Sequence, residues 1–328
     1  MSKAREYRKS VKYFFIITLV RVVLGIVRFL PWKWTSVMCD RLGLLAFYIV
    51  KKERLKTIRN LTIAYGSEKT EKEINTMAKE VFINLGRAAA ELAIKLYVDD
   101  AKRYFRNVEV VNQHYADAAY ARGKGIINLV PHMGCWEGLP RAFVLMRYKA
   151  GSVAQTLNNE KINDWVVRNR EFKGFKILPR GSSYKTILQF LKQNNSLGML
   201  IDQDTRVKGV FVDFYGKPAY TPIGAAMLAL DSDATVFTTS YVRTGQNRFQ
   251  LIFGPPIEIV RTGDRKEDLR LNTERFHQEV EKLIKKYPTQ WVWMHERWKT
   301  TPERIAARER EKVEKRKQKS RQRLAQKH

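Results

Sequence analysis

GIINLVPHMGCWEGLPRAFVLMRY, residues 125–148, is the stretch whose reading decides the architecture. It opens on a short run from Ile126 to Val130, apolar but for Asn128, bounded by Gly125 and Pro131. A run this short between turn residues reads as a strand buried on both faces. Gly134 permits a turn, and the apolar spacing from Cys135 onward is helix-like. Strand, loop and helix in that order are the unit of an α/β fold. His132 falls on the loop at the carboxyl end of the strand, where ligands bind in open α/β sheets. Glu137 falls in the first helical turn, close in sequence. A carboxylate bonded to one imidazole nitrogen fixes the tautomer and stabilises the imidazolium formed when the other nitrogen takes a proton. Such a pair suits removal of a proton from a hydroxyl or an amine. The same residues also fit a Glu helped by a helix dipole and a His hydrogen-bonded in the core, and the spacing does not separate these readings.

Working outward, the strand–helix pattern repeats. Strands are expected at 151–157, 175–179, 197–202, 235–243 and 248–254, and helices at 162–173, 182–195, 221–232 and 266–287. A serine opens the helix at 182–195 and Thr221-Pro222 opens another, both good helix starts. Upstream, residues 36–100 read as helical, with apolar residues at helical spacing from Glu71 to Tyr97. The fold class that follows is α/β, a central, mainly parallel sheet flanked by helices, with an N-terminal amphipathic or membrane-anchoring helix. Three regions are expected: a basic, apolar anchoring helix at 1–34, an α/β domain at 35–301 and a basic tail at 302–328.

The anchor rests on composition. MSKAREYRKSVK is basic, and Tyr13 to Trp34 is apolar apart from one polar stripe. Thr18, Arg21, Gly25 and Arg28 share one helical face, so the segment suits an interfacial helix or a short anchor better than an unbroken span. Trp32, Lys33 and Trp34 resemble interfacial anchors. An amphipathic helix packed on the globular core is the other reading. The tail has eleven Lys or Arg against four Glu after Pro302, and reads as a solvated helix or as a contact for anionic lipid or an acidic partner.

Over the whole chain, 61 Lys and Arg face 33 Asp and Glu, a net charge of +28 that draws anions of any kind. A nucleic-acid-binding protein is one class this admits. The basic residues are dispersed, however, and no RNA- or DNA-binding signature stands out. Two cysteines, Cys39 and Cys135, give no disulfide framework, and the five His show no zinc spacing, so no metal or cofactor is expected. No GxSxG elbow and no phosphate loop is present. Cys135 is the one nucleophile candidate beside His132, and reads better as a small apolar filler.

HMGCWE (132–137) resembles the HxxxxE/D box of glycerolipid acyltransferases, in the form used by the lauroyl/myristoyl acyltransferases of lipid A biosynthesis. GMLIDQDTRVKGVFVDFYGKPAYTPIGAAMLAL (198–230), LPRGSSYKTILQFLK (178–192) and QWVWMHERWK (290–299) resemble further blocks of that family, in the same order. The resemblance implies transfer of a fatty acyl group from acyl carrier protein or acyl-CoA to a hydroxyl of a lipid A precursor or related glycolipid. It also implies work at an anionic membrane surface, on the cytoplasmic face of a bacterial inner membrane, without nucleic acid. On this reading His132 is the general base and Glu137 orients it. Oxyanion donors are expected from backbone N–H groups near Gly134 or Arg180. Gln155, Asn159, Arg168, Arg170, Arg180, Asp202 and Arg206 are candidates for substrate binding. Gln155 stands where many relatives carry an Arg, which bears on the acceptor's head group. Asp202 and Asp204 fit loop-bracing hydrogen bonds equally well. A non-catalytic lipid-binding relative is the remaining alternative.

Overall fold

The computed structural model describes residues 30–95, 98–155, 160–179, 181–205 and 207–307, with positions 310, 311, 314 and 318. The anchor expected before Leu30 and most of the basic tail lie outside the described residues. Among the described residues no helix is long and apolar enough to cross a membrane.

Three helices come first: α1 (Trp32–Ile49), α2 (Lys51–Tyr65) and α3 (Glu71–Lys95). In α1 the buried residues are Thr35, Cys39, Gly43 and Phe47, one every four positions, so a single narrow face meets the protein. That face crosses α3 at two glycines. A Cβ on Gly43 would lie 2.5 Å from the Phe82 carbonyl oxygen, and one on Gly86 2.3 Å from that of Cys39. Helix α3 starts in a capping box, with Thr70 N–H donating to Glu73 Oε2 at 2.8 Å and Glu73 N–H returning to Thr70 Oγ1 at 3.4 Å.

The rest alternates strand and helix, with one correction. Thr221-Pro222, expected to open a helix, ends a hairpin strand, and the helix begins only at Gly224, because the Thr221 hydroxyl turns back onto the Ala219 carbonyl instead of capping it. A short helix α4 (Ala101–Tyr104) leads to β1 (Val108–Val111), α5 (Gln113–Ala121), β2 (Ile126–Leu129), α6 (Leu139–Leu145), β3 (Ala150–Ala154) and α7 (Glu160–Arg170). Then come β4 (Lys176–Pro179), α8 (Tyr184–Lys192), β5 (Ser196–Met199), a hairpin of β6 (Gly209–Phe214) and β7 (Lys217–Pro222), and α9 (Gly224–Ser232). The long strand β8 (Thr235–Gly245), β9 (Arg248–Phe253) and α10 (Arg265–Lys286) close the domain. Seven strands form one sheet in the order β1-β9-β8-β2-β5-β3-β4, parallel throughout except for the β8–β9 hairpin.

Strand β2 lies at the middle of this sheet and is buried along its whole length. Successive side chains enter opposite faces. Ile127 and Leu129 join the core shared with α2, α3, α9 and α10, while Ile126 and Val130 join the core under α5 and α6. Coverage by helices on both faces explains why the strand reads as apolar on both sides, and its one polar residue, Asn128, is buried by hydrogen bonding to Ser196 and Thr239.

Candidate active site

His132 stands on the loop beyond β2, at the carboxyl edge of the sheet, as expected. Strand β2 pairs with β5 in parallel register, Leu129 opposite Met199. Three residues further along each chain come His132 and Asp202, and the two meet there. The His132 backbone N–H donates to Asp202 Oδ2 at 2.7 Å, and Nδ1 lies 2.7 Å from Oδ1. The Trp291 indole N–H donates to Oδ2, also at 2.7 Å. Burial alone would raise the Asp202 carboxyl. The adjacent His132 charge and these hydrogen bonds outweigh it and hold the group well below the usual carboxylate range. An ionised carboxylate only accepts, so Nδ1 carries the proton and Nε2 is left as the basic nitrogen.

The loop that carries this imidazole is braced from two sides. Met133 is fully buried and bridges to Trp291. The Val292 N–H donates to the His132 carbonyl at 3.1 Å, the Gly134 N–H to the Gln290 carbonyl at 3.1 Å and the Cys135 N–H to the Tyr241 carbonyl at 2.8 Å. Gly134 has φ +56°, and a Cβ there would lie 2.1 Å from the Tyr241 carbonyl oxygen. No side chain fits that crossing, which accounts for the glycine.

Glu137 is not the partner of His132. Its carboxylate takes a bidentate pair from Arg170, Nε to Oε2 at 2.9 Å and Nη2 to Oε1 at 2.5 Å. The reason is competition. A guanidinium matches a carboxylate with two parallel charged hydrogen bonds, and the imidazole already faces a carboxylate delivered by the sheet register. Glu137 thus ties the start of α6 to the end of α7. Trp136 stacks edge-on to His132, ring centroids 5.7 Å apart.

These residues border a cleft of about 930 Å³. His132, Glu137, Arg170, Gln155 and Gln203 supply its polar points, and residues such as Phe143, Val166, Phe175, Ile187, Met199 and Met227 its apolar wall. A mostly apolar pocket with a few convergent polar groups is the usual form of a site for a small or lipidic ligand.

Of the candidates for substrate contact, Gln155 and Arg170 line the cleft. Arg168 does not; it is exposed, and its Nε donates to the Asp164 carbonyl at 3.3 Å within its own helix. Asp202 has no exposed surface and lies behind His132, so it is the partner of that imidazole rather than a cleft wall. Asp204 braces the C-terminal segment, accepting from Thr300 N–H at 2.6 Å and Thr300 Oγ1 at 2.9 Å. Asn159, Arg180 and Arg206 lie outside the described residues. Gly134 is corrected as an oxyanion donor, because its N–H is already bonded to Gln290. Cys135 is buried, and burial first, then the Glu91 charge, pushes its thiol far above the ordinary value, which removes it as a nucleophile.

Three contributors went unread in the sequence: Trp291, His295 and Gln203. His295 Nε2 lies 2.6 Å from Gln203 Nε2, and its ring centroid lies 5.6 Å from that of His132. Behind them Arg297 is fully buried, donating to the Tyr220 carbonyl at 2.7 Å, to Thr221 Oγ1 and to His277 Nε2 at 2.9 Å. Burial lowers its guanidinium to about 10, against the pull of Asp202 and Asp204. The C-terminal block 290–299 therefore clamps both the His132 loop and β7. The signal available was its density of Trp and His, but nothing in the sequence said which strand end it would cover.

A protein-family model described as bacterial lipid A biosynthesis acyltransferase matches residues 1–300. The chain is 26% identical over 289 residues to the lipid A biosynthesis lauroyltransferase of Escherichia coli K12, covering 87% of this chain and 92% of that one. It is 24% identical over 282 residues to the E. coli lipid A biosynthesis palmitoleoyltransferase, covering 83% and 89%. The phosphatidylinositol mannoside acyltransferase of Mycobacterium tuberculosis is 27% identical over 189 residues, 56% of this chain. That match spans only 58% of the mycobacterial relative's length.

Proposed function

The chain belongs to the bacterial lipid A biosynthesis acyltransferase family, and on that premise we propose that it moves a fatty acyl group from a thioester donor to a hydroxyl of a lipid A precursor or related glycolipid. One observation carries the reading: an imidazole whose Nδ1 is held at 2.7 Å by a buried carboxylate, on the rim of an apolar cleft. His132 Nε2 takes the proton of the acceptor hydroxyl as its oxygen attacks the thioester carbon. Asp202, charged and buried, keeps the ring in the productive tautomer and stabilises the imidazolium. The apolar wall holds the acyl chain. Arg170, half-buried and paired with Glu137, offers charge at the cleft for an anionic acceptor.

Relatives named for lipid A and for phosphatidylinositol mannoside both act on glycolipids by name, which supports a glycolipid acceptor here. A net charge of +28 favours encounter with an acidic carrier protein, and acyl carrier protein is the donor we infer, with acyl-CoA as the second choice. The work is assigned to the cytoplasmic face of the bacterial inner membrane, with residues 1–34 as the anchor, 35–301 as the catalytic domain and 302–328 as a basic tail.

The test is a transfer assay with the full-length chain, bacterial membrane glycolipids, and acyl thioesters of both carriers, read by mass spectrometry. A glycolipid heavier by one acyl chain, absent with His132→Ala, is expected. Wild-type protein that transfers no chain from either donor would overturn the proposal. Transfer that survives in the His132→Ala variant would remove the assigned base.

A further inference from the structure

Attack on a thioester places negative charge on the carbonyl oxygen, and that charge needs N–H or O–H donors facing the cleft. The loop around the base has none to spare. The backbone N–H groups of His132, Met133, Gly134 and Cys135 donate in turn to Asp202, Pro131, Gln290 and Tyr241. Asn128 borders the cleft too, but its amide donates to Ser196 Oγ at 2.5 Å and its oxygen accepts from Thr239 at 2.9 Å.

The loop after β5 supplies what the His132 loop lacks. Gln203 follows Asp202 directly and lines the cleft with His132. Its amide nitrogen can only donate, so at 2.6 Å the His295 Nε2 is the acceptor and the His295 proton sits on Nδ1. One of the two amide hydrogens is thereby fixed on His295. The other makes no hydrogen bond among the described residues. Burial, then the charges of His132 and Lys56, lower the His295 imidazole against the opposing pull of Asp202 and Glu53, so it stays neutral and able to accept. Thr205, two residues further on, also lines the cleft, and its hydroxyl is buried without a partner among the described residues.

We propose that Gln203 is a catalytic residue, its side-chain N–H receiving the oxyanion of the tetrahedral intermediate, and that His295 is the positioning residue that aims it. This rests on the acyl-transfer reading above. The acceptor oxygen bonds to the thioester carbon while its proton passes to His132 Nε2, and the carbonyl π pair moves onto the oxygen facing Gln203. Collapse re-forms the carbonyl and breaks the carbon–sulfur bond. The departing thiolate takes the proton back from Nε2, which leaves an ester and a free thiol.

The experiment measures kcat and KM for dodecanoyl and hexadecanoyl thioesters of acyl carrier protein and of CoA, with extracted membrane glycolipid as acceptor. Gln203→Leu is expected to lower kcat by ~10²–10³-fold with KM nearly unchanged. Gln203→Glu, similar in size but without the donor, should lose at least as much. His295→Leu should lower kcat by about tenfold or more, and His295→Asn, which keeps an acceptor, should recover most of it. A Gln203→Leu enzyme with wild-type kcat, or one changed only in KM, overturns the inference, as does a Gln203→Glu enzyme that retains turnover. Should His132→Ala abolish transfer in the same assay, the base assignment survives that failure. Should wild-type protein transfer nothing from any of these donors, the acyl-transfer reading fails and this inference fails with it.

Discussion

Two carboxylates stand near His132, and only one can tune it. Asp202 is inaccessible to solvent and holds Nδ1, whereas Glu137 is spent on Arg170. Asp202→Asn removes the charge and lets the imidazole choose the wrong tautomer, so kcat should fall on the order of 10³–10⁴-fold. Glu137→Gln weakens one bidentate pair and should cost roughly tenfold or less, mostly through the placement of α7. Steady-state kinetics of the two variants side by side checks the order; equal losses would restore Glu137 to the base. Cys135 gives a second expectation. Its buried, protonated thiol should resist iodoacetamide in the native protein and react only after denaturant is added, as read by intact mass. The sequence made His132 legible because a lone imidazole after an apolar run is a local signal. Asp202 was visible as a residue but not as a partner. The pairing depends on which strand lies beside β2 and in what register, and seventy residues separate the two. One clue was present in hindsight: both residues follow an apolar run by the same short interval, INLV-P-His132 and GML-I-Asp202.

At the scale of elements, apolar runs located β2, β3, β4, β5, β8 and β9 and the longer helices, but not β1 or the β6–β7 hairpin. The central strands β2, β5 and β8 are rich in buried apolar residues but also bury Asn128, Ser196, Thr238, Thr239 and Ser240, and α8 is capped by Ser183, whose hydroxyl accepts from the Thr186 N–H. Sheet order was not legible, because hydrophobicity says that a strand is buried and not which neighbour it has. The crossing of α1 and α3 was equally hidden. Gly43 and Gly86 look like weak points in helices, but each lets a backbone carbonyl of the other helix approach. Gly86→Val would drive a branched side chain into the Cys39 carbonyl. A loss of about 1–3 kcal/mol is expected, measured as a lower urea midpoint. An unchanged midpoint would show that the two helices can separate without cost.

Over the whole molecule, the large exposed apolar side chains are concentrated on α1 and the start of α2. Trp34 is 70% exposed and Ile49 69%, with Val37, Leu42, Leu45 and Tyr48 on the same side. Lys33, Arg41, Lys51 and Lys52 lie among them. Apolar residues set among cations suit the interface of an anionic bilayer. Trp34→Ala combined with Leu45→Glu should therefore reduce co-sedimentation with phosphatidylglycerol vesicles at least severalfold in the full-length chain, with the unfolding midpoint preserved. Binding that persists would assign the membrane contact elsewhere. The net charge alone favours anions of any kind, and the exposed face of α1 is the described surface where apolar and basic residues meet. The clamp over the His132 loop has a consequence in time. Gln290, Trp291 and Val292 are made long after the loop they hold. A chain emerging from the ribosome folds from its N-terminus, so its sheet can assemble while His132 still lacks its far support. The buried cradle around His132 is complete only when the last segment docks.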